Sequence, residues 1–353
     1  MIYQQTELHN CYDIVEDVET GGRKMIRIPE QVRKNMSLIG RKYTAYNTPN
    51  AEIRFCMKSE EVKLHFQIFH PEGGYYADQA LEVYFGCFQN ENLRILDDQN
   101  DMVYIRKPEN MELLKKLAIE EGHPFSPEVV RVIAPGDCHL MLKSVEGEIE
   151  LPTGKLQPAR RWLAYGSSIT QGSNGLHPSG AYASIAAAGL KVDLINLGFG
   201  GSALLEPEMA DYLAERDDFD FISLEMGVNM TWNIEENCPG DPEFFRKRVD
   251  YFVSRIADAH PDKWIFCLDQ FRNKDDYTGE GQTALYRQIV KEKVASLSRK
   301  KVVYLDCTSY LDSSDCLCTD LLHPSTKGCA KIGNKLAEVI GSYLEQEAQE
   351  ERK

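Results

Sequence analysis

The chain has 353 residues, 42% hydrophobic and 27% charged, with a formal net charge of -15 at pH 7. That balance is typical of a soluble globular protein long enough for two domains, and it sets disordered and membrane-spanning classes aside. The acidic excess argues against nucleic acid or an anionic membrane as a main partner, because both are bound through basic patches.

The N-terminus, MIYQQTELHNCYDIVEDVET, has no basic start, apolar core or small-residue cleavage site, so no secretory signal is visible. No apolar run approaches the ~20 residues that span a bilayer. Ten cysteines are scattered along the chain, and Cys56, Cys87 and Cys267 sit in apolar runs, as reduced core thiols do. These features point to a cytoplasmic protein.

Up to about residue 150, β-type runs recur at 24–28, 43–46, 51–57, 62–69, 80–88, 102–105, 129–133 and 139–145. Several alternate apolar and polar residues, as in Ala51-Glu52-Ile53-Arg54-Phe55, the mark of a strand with one wet face. Clusters such as His70-Pro71-Glu72-Gly73-Gly74 separate them. Short strands at this spacing predict an antiparallel β-sandwich of jelly-roll type over residues 1–150, interrupted by one helix over 108–121. Its role is structural or that of a substrate- or carbohydrate-binding module, the latter resting on aromatics such as Phe69, Tyr75 and Tyr76 in loop-like places. Residues 151–159, with two prolines and a glycine, read as a linker.

From 160 to 353 the rhythm changes. Continuous apolar runs at 161–165, 192–196, 219–225, 264–268 and 302–305 alternate with helical patterns at 181–189, 207–216, 243–259, 282–298 and 325–347. Strand and helix in alternation predict a five-stranded parallel sheet with helices on both faces, its strands doubly buried. Ligands of such sheets sit at the carboxyl ends of the strands.

Four loops at that edge carry chemistry. They are Gly166-Ser167-Ser168-Ile169-Thr170-Gln171-Gly172, Asn196-Leu197-Gly198-Phe199-Gly200-Gly201-Ser202, Met226-Gly227-Val228-Asn229-Met230 and Thr319-Asp320-Leu321-Leu322-His323-Pro324-Ser325. Acyl transfer through a nucleophile needs a serine, a base, a carboxylate to orient that base, and donors for an oxyanion. The loops supply these in the order serine, oxyanion groups, aspartate, histidine.

This pattern resembles the SGNH hydrolases, the GDSL-type esterases and lipases, over about residues 160–345. The resemblance implies a flavodoxin-like three-layer α/β/α fold. The preceding β-sandwich resembles that of two-domain members, including carbohydrate acetylesterases and some acyltransferases. Carried over residue by residue, Ser168 is the nucleophile, His323 the general base and Asp320 its orienting carboxylate. The oxyanion hole falls to the backbone N–H of Ser168, the backbone N–H of Gly201 and the Asn229 side chain, with Gly198 and Gly200 competing for the glycine role and Asn229 open to a simple capping role on a helix at Glu235.

Two positions depart from the family pattern. Ser167 stands where an aspartate usually precedes the nucleophile, and Met230 where one follows the oxyanion asparagine; Trp232 follows as a candidate wall of the acyl pocket. His177 reads as an exposed loop histidine. Cys316 and Cys318 near His323, with Cys307 and Cys329, lack paired zinc-ligand spacing and read as core or loop thiols. The expected function is a serine esterase that removes a small O-acyl group, acetyl above all, from a carbohydrate or polar metabolite. No cofactor or metal is expected; the partner is a small-molecule or oligosaccharide ester, without nucleic acid or membrane. An acyltransferase, a lipase or thioesterase, and a non-catalytic carbohydrate-binding protein remain as alternatives.

Overall fold

The computed structural model describes residues 1–16, 22–69, 80–91, 94–95, 101–231, 240–350 and 352. Five parallel strands form the central sheet in the order Asp193–Gly198, Arg161–Gly166, Phe221–Glu225, Trp264–Leu268 and Val302–Leu305. In chain order this is 2-1-3-4-5, the flavodoxin-like arrangement, and it puts the first strand beside the chain reversal where ligands bind. Phe245, Val249, Phe252, Val253 and Ile256 line one stripe of the Pro242–Ala259 helix and pack on one face of the sheet. The Tyr182–Leu190 and Thr326–Glu350 helices cover the other face through Ala183, Ala186, Ile332 and Leu336.

The N-terminal strands pair antiparallel in two main sheets. The larger runs through Thr6–His9, Glu52–Met57, Val129–Ile133 and Ala80–Phe85, and the smaller joins Met102–Arg106, Glu61–Phe69 and His139–Glu146. Ile53, Phe55, Val83 and Val132 from one sheet meet Leu64, Phe66, Val103 and Leu142 from the other in a single apolar core. This is the sandwich that the alternating runs predict. The expected helix over 108–121 spans Met111–Glu121.

Two expected strands differ. Residues 43–46 are not extended: Gly40–Thr44 is one turn of π-helix. Aromatic β-propensity loses there to tertiary contact, since Thr44 Oγ1 lies 2.6 Å from Ser202 Oγ. The run 80–88 is a hairpin instead of one strand, turning between Ala80–Phe85 and Phe88–Gln89.

The N-terminal part does not stand apart from the parallel sheet. Ile26, Ile28, Val32, Met36, Ala45 and Tyr46 share a core with Leu163, Tyr165, Leu197 and Phe199. Arg54 donates to both oxygens of Asp193, at 2.8 and 2.6 Å, and to Glu52 at 2.8 Å. Glu52 also accepts from Arg131. Buried charges of this kind are tolerated only when paired and hydrogen-bonded. Arg27 enters the seam with no carboxylate partner among the described residues, donating to the carbonyls of Asn47, Asn196, Thr44 and Gly198 over the face of Phe199. Burial lowers its basicity to about 9.

Candidate active site

The Arg161–Gly166 strand ends at Gly166, where a Cβ would sit 2.1 Å from Thr170 Oγ1 and 2.6 Å from Glu225 Oε2. Only glycine allows the chain to turn there into the short Ser168–Gln171 helix. Ser167 caps that helix, its Oγ accepting the Ile169 N–H at 3.2 Å. Serine and aspartate are both good helix caps, so this departure from the family pattern keeps the cap and removes the charge. A carboxyl still lies against the turn. Glu225, at the end of the neighbouring strand, accepts the Ser167 N–H at 2.6 Å and the Thr170 hydroxyl at 3.3 Å. Burial raises the Glu225 carboxyl above the usual range, against the pull of those hydrogen bonds. Its second oxygen, Oε1, is buried with no partner among the described residues.

Ser168, 9% exposed, lies with Oγ 2.7 Å from His323 Nε2. On the far side of the ring, His323 Nδ1 is 2.6 Å from Asp320 Oδ2. The Asp320 loop is a closed turn. Asp320 Oδ1 accepts the N–H groups of Leu322 and His323 at 3.0 and 3.1 Å, and Leu321 takes a left-handed φ of 52° between them. Burial works to raise the Asp320 carboxyl, but the bonds from the His323 ring and these N–H groups outweigh it and hold the carboxyl below its ordinary value.

The glycine-rich loop is pinned residue by residue. The Phe199 N–H donates to the Gly166 carbonyl at 2.8 Å, the Gly200 N–H to Gln171 Oε1 at 2.8 Å and the Ser202 N–H to the Phe199 carbonyl at 3.1 Å. The Gly198 N–H is likewise taken, by Asn196 Oδ1. The Gly201 N–H meets no acceptor among the described residues. Gly201 has φ +67°, the left-handed region that glycine enters without strain. Asn229, 3% exposed, accepts the Ala203 N–H through Oδ1 at 3.0 Å, which orients its amide and leaves the Nδ2 end as the donor. Asn229 sits in the short Val228–Thr231 helix at the carboxyl end of the Phe221–Glu225 strand.

Met230 is a packing residue, 1% exposed, and its carbonyl accepts the Tyr286 hydroxyl at 3.1 Å. His177 is partly exposed, its Nδ1 2.9 Å from Ser179 Oγ and 3.2 Å from Glu82 Oε1. Cys307 and Cys316 lie in the apolar core under the Thr326–Glu350 helix, which itself contributes Cys329 to that core, while both nitrogens of His323 face Ser168 and Asp320. Trp232, Glu235, Tyr75 and Tyr76 lie outside the described residues, as does the Phe69 side chain. Sequence reading did not single out Gln171 or Glu225, although Gln171 stands inside the serine stretch itself and Glu225 is the acidic residue that closes an apolar run.

With this geometry in view, the similarity to known proteins is informative. The GDSL-like Lipase/Acylhydrolase family matches residues 159–341. The chain belongs to that family. A multidomain esterase of Ruminococcus flavefaciens is 28% identical over 126 residues, which are 35% of this chain and 16% of that protein. The chain therefore spans a small part of the length of the curated relative it matches. Among solved structures, the salicylyl-acyltransferase SsfX3 of a tetracycline biosynthetic pathway superposes with a TM-score of 0.74 at 18% identity, over 96% of this chain and 95% of that one. A family two carbohydrate esterase from Clostridium thermocellum, in complex with cellohexaose, gives 0.59 at 14% identity over 84% and 93%. Both likenesses concern the fold, including its N-terminal β part. Among the described residues no helix is long and apolar enough to cross a membrane.

Proposed function

We propose that this chain is a serine esterase that removes a small O-acyl group, acetyl in the first place, from a carbohydrate. The observation that carries the reading is the unbroken chain of contacts from Ser168 Oγ through the His323 ring to Asp320. Ser168 Oγ attacks the ester carbonyl while His323 Nε2 takes its proton. The tetrahedral oxyanion lies against the N–H groups of Ser168 and Gly201 and the Asn229 amide. The C–O bond to the alcohol then breaks, and His323 hands the proton to the leaving oxygen. Water repeats the sequence on the acyl-enzyme and frees Ser168. Asp320 holds the imidazole in the tautomer with its proton on Nδ1 and stabilises the cation that forms. Every group these steps require is a side chain or backbone amide of this chain.

The carbohydrate preference is supported by the likeness to the cellohexaose-bound esterase, and acetyl by the two-part layout. A second reading, transfer of the acyl group to another alcohol, is supported by the likeness to SsfX3 along nearly the whole chain. The test is hydrolysis of p-nitrophenyl acetate, butyrate and octanoate, then of acetylated xylo- and cello-oligosaccharides, by wild type and Ser168→Ala. Acetate turnover abolished in the variant supports the esterase. Octanoate preference points to longer acyl chains, and ester formation with an added sugar exceeding hydrolysis points to transfer.

A further inference from the structure

Building on the esterase reading, we propose that Gln171 and Asp137 form a positioning relay through which the N-terminal sandwich sets the oxyanion loop. Gln171 is 3% exposed and ends the helix that Ser168 begins. Its Oε1 accepts the Gly200 N–H at 2.8 Å, one residue before Gly201, whose N–H meets no acceptor among the described residues. Its Nε2 donates to Asp137 Oδ1. Asp137 lies between the sandwich strands Val129–Ile133 and His139–Glu146, on a loop seated against the Ser168 helix: a Cβ on Gly136 would be 3.4 Å from the Gln171 carbonyl.

The chemistry of the pair explains its direction. A side-chain amide is nearly symmetric in shape, and its two ends differ only in donating or accepting. A carboxylate offers acceptors alone. Asp137 therefore draws the NH2 end of Gln171 and turns the oxygen towards Gly200. With the amide reversed, its NH2 would face the Gly200 N–H and the loop would move away. The Gly200 N–H lies in the Phe199–Gly200 peptide and the Gly201 N–H in the next one, hinged at the Gly200 Cα, so the acceptor that fixes the first plane anchors the plane that carries the second N–H. The sandwich thereby contributes to the transition state without touching substrate.

The test uses the full chain and p-nitrophenyl acetate, with Gln171→Met, Asp137→Ala, Asp137→Asn, the Met/Ala double variant and Ser168→Ala. Gln171→Met keeps length and loses both ends of the amide, and Asp137→Ala frees the amide to turn. Each is expected to lower kcat roughly 10- to 100-fold, the scale of a sub-ångström misplacement, with KM within about twofold. The double variant should be no slower than the slower single variant, because both cut one chain of contacts. Asp137→Asn retains an acceptor oxygen and should restore kcat to within about threefold of wild type. Thermal unfolding of each variant separates misplacement from misfolding, and Asp137→Ala, on a partly exposed loop, carries the test if Gln171→Met does not fold. Unchanged kcat in both single variants overturns the relay, as do losses that multiply in the double variant or a loss confined to KM. A wild type no faster than Ser168→Ala overturns the esterase reading and the relay with it.

Discussion

The two turns that meet at the Ser168–His323 contact are built in opposite ways. Ser168 is buried, and its turn is held by Glu225 from the next strand and by the glycine-rich loop. The Asp320 carboxyl is 46% exposed and the His323 ring 22%, and their turn is closed by bonds within a few residues of itself. The Ser168 side draws its geometry from the whole fold, and the His323 side from a local loop docked on it. Burial gives the first side a low-dielectric setting where fixed dipoles act strongly, while the second has access to water for proton exchange.

The largest test of this contrast is removal of the base proposed at His323. His323→Ala should cut kcat by on the order of a million-fold, measured with p-nitrophenyl acetate, since proton transfer has no substitute on the buried side. Asp320→Asn removes the orienting charge from the exposed side. Buried aspartates of this kind carry about ten-thousand-fold in kcat, and solvent around Asp320 should reduce the loss below that. A full ten-thousand-fold loss would show that exposure does not weaken this half. Asn229→Ala should lower kcat about 100- to 1,000-fold with little change in KM, the scale of one oxyanion donor.

Smaller effects probe the burial itself. Glu206, just past the glycine-rich loop, is buried with neither oxygen partnered among the described residues, and burial pushes its carboxyl up to about 7. The native state therefore keeps that proton at pH values where the unfolded chain has lost it. The stability this group supports is present below its unfolded value of 4.5 and is lost as the pH rises towards about 7. Glu206→Gln should be more stable than wild type at pH 8 by roughly 3 kcal/mol, read as a higher unfolding temperature, and the gain should shrink at pH 5. An equal difference at both pH values would show that the carboxyl is not protonated on folding. Ser167→Ala should cost about 1 kcal/mol through the lost cap, a fall of roughly 1–2 °C in Tm for a chain of this length.

Much of this was legible in the sequence. The Trp264–Leu268 and Val302–Leu305 strands fall where their apolar runs do, and the other three central strands differ at their ends by one to two residues. Doubly buried strands are continuous apolar runs, so the signal is local and strong. The Asp320–His323 spacing is local too, an i, i+3 turn. The N-terminal half was harder to read. Residues 43–46 carry strand-like aromatics but fold as a helical turn against Ser202, 158 positions from Thr44.

By itself the sequence determined the parallel sheet, the antiparallel sandwich and the four loops that carry serine, glycine, asparagine and the aspartate–histidine pair, because side-chain periodicity and residue type act over a few neighbours. The tertiary structure alone decided which glycine of the Gly198–Gly201 run keeps an N–H without an acceptor among the described residues, that Glu225 stands behind the Ser168 turn, and that Asp137 reaches Gln171 from the sandwich. Each of those outcomes depends on a polar group finding its partner across the fold. Burial makes such partners obligatory, and only chain topology determines which group arrives.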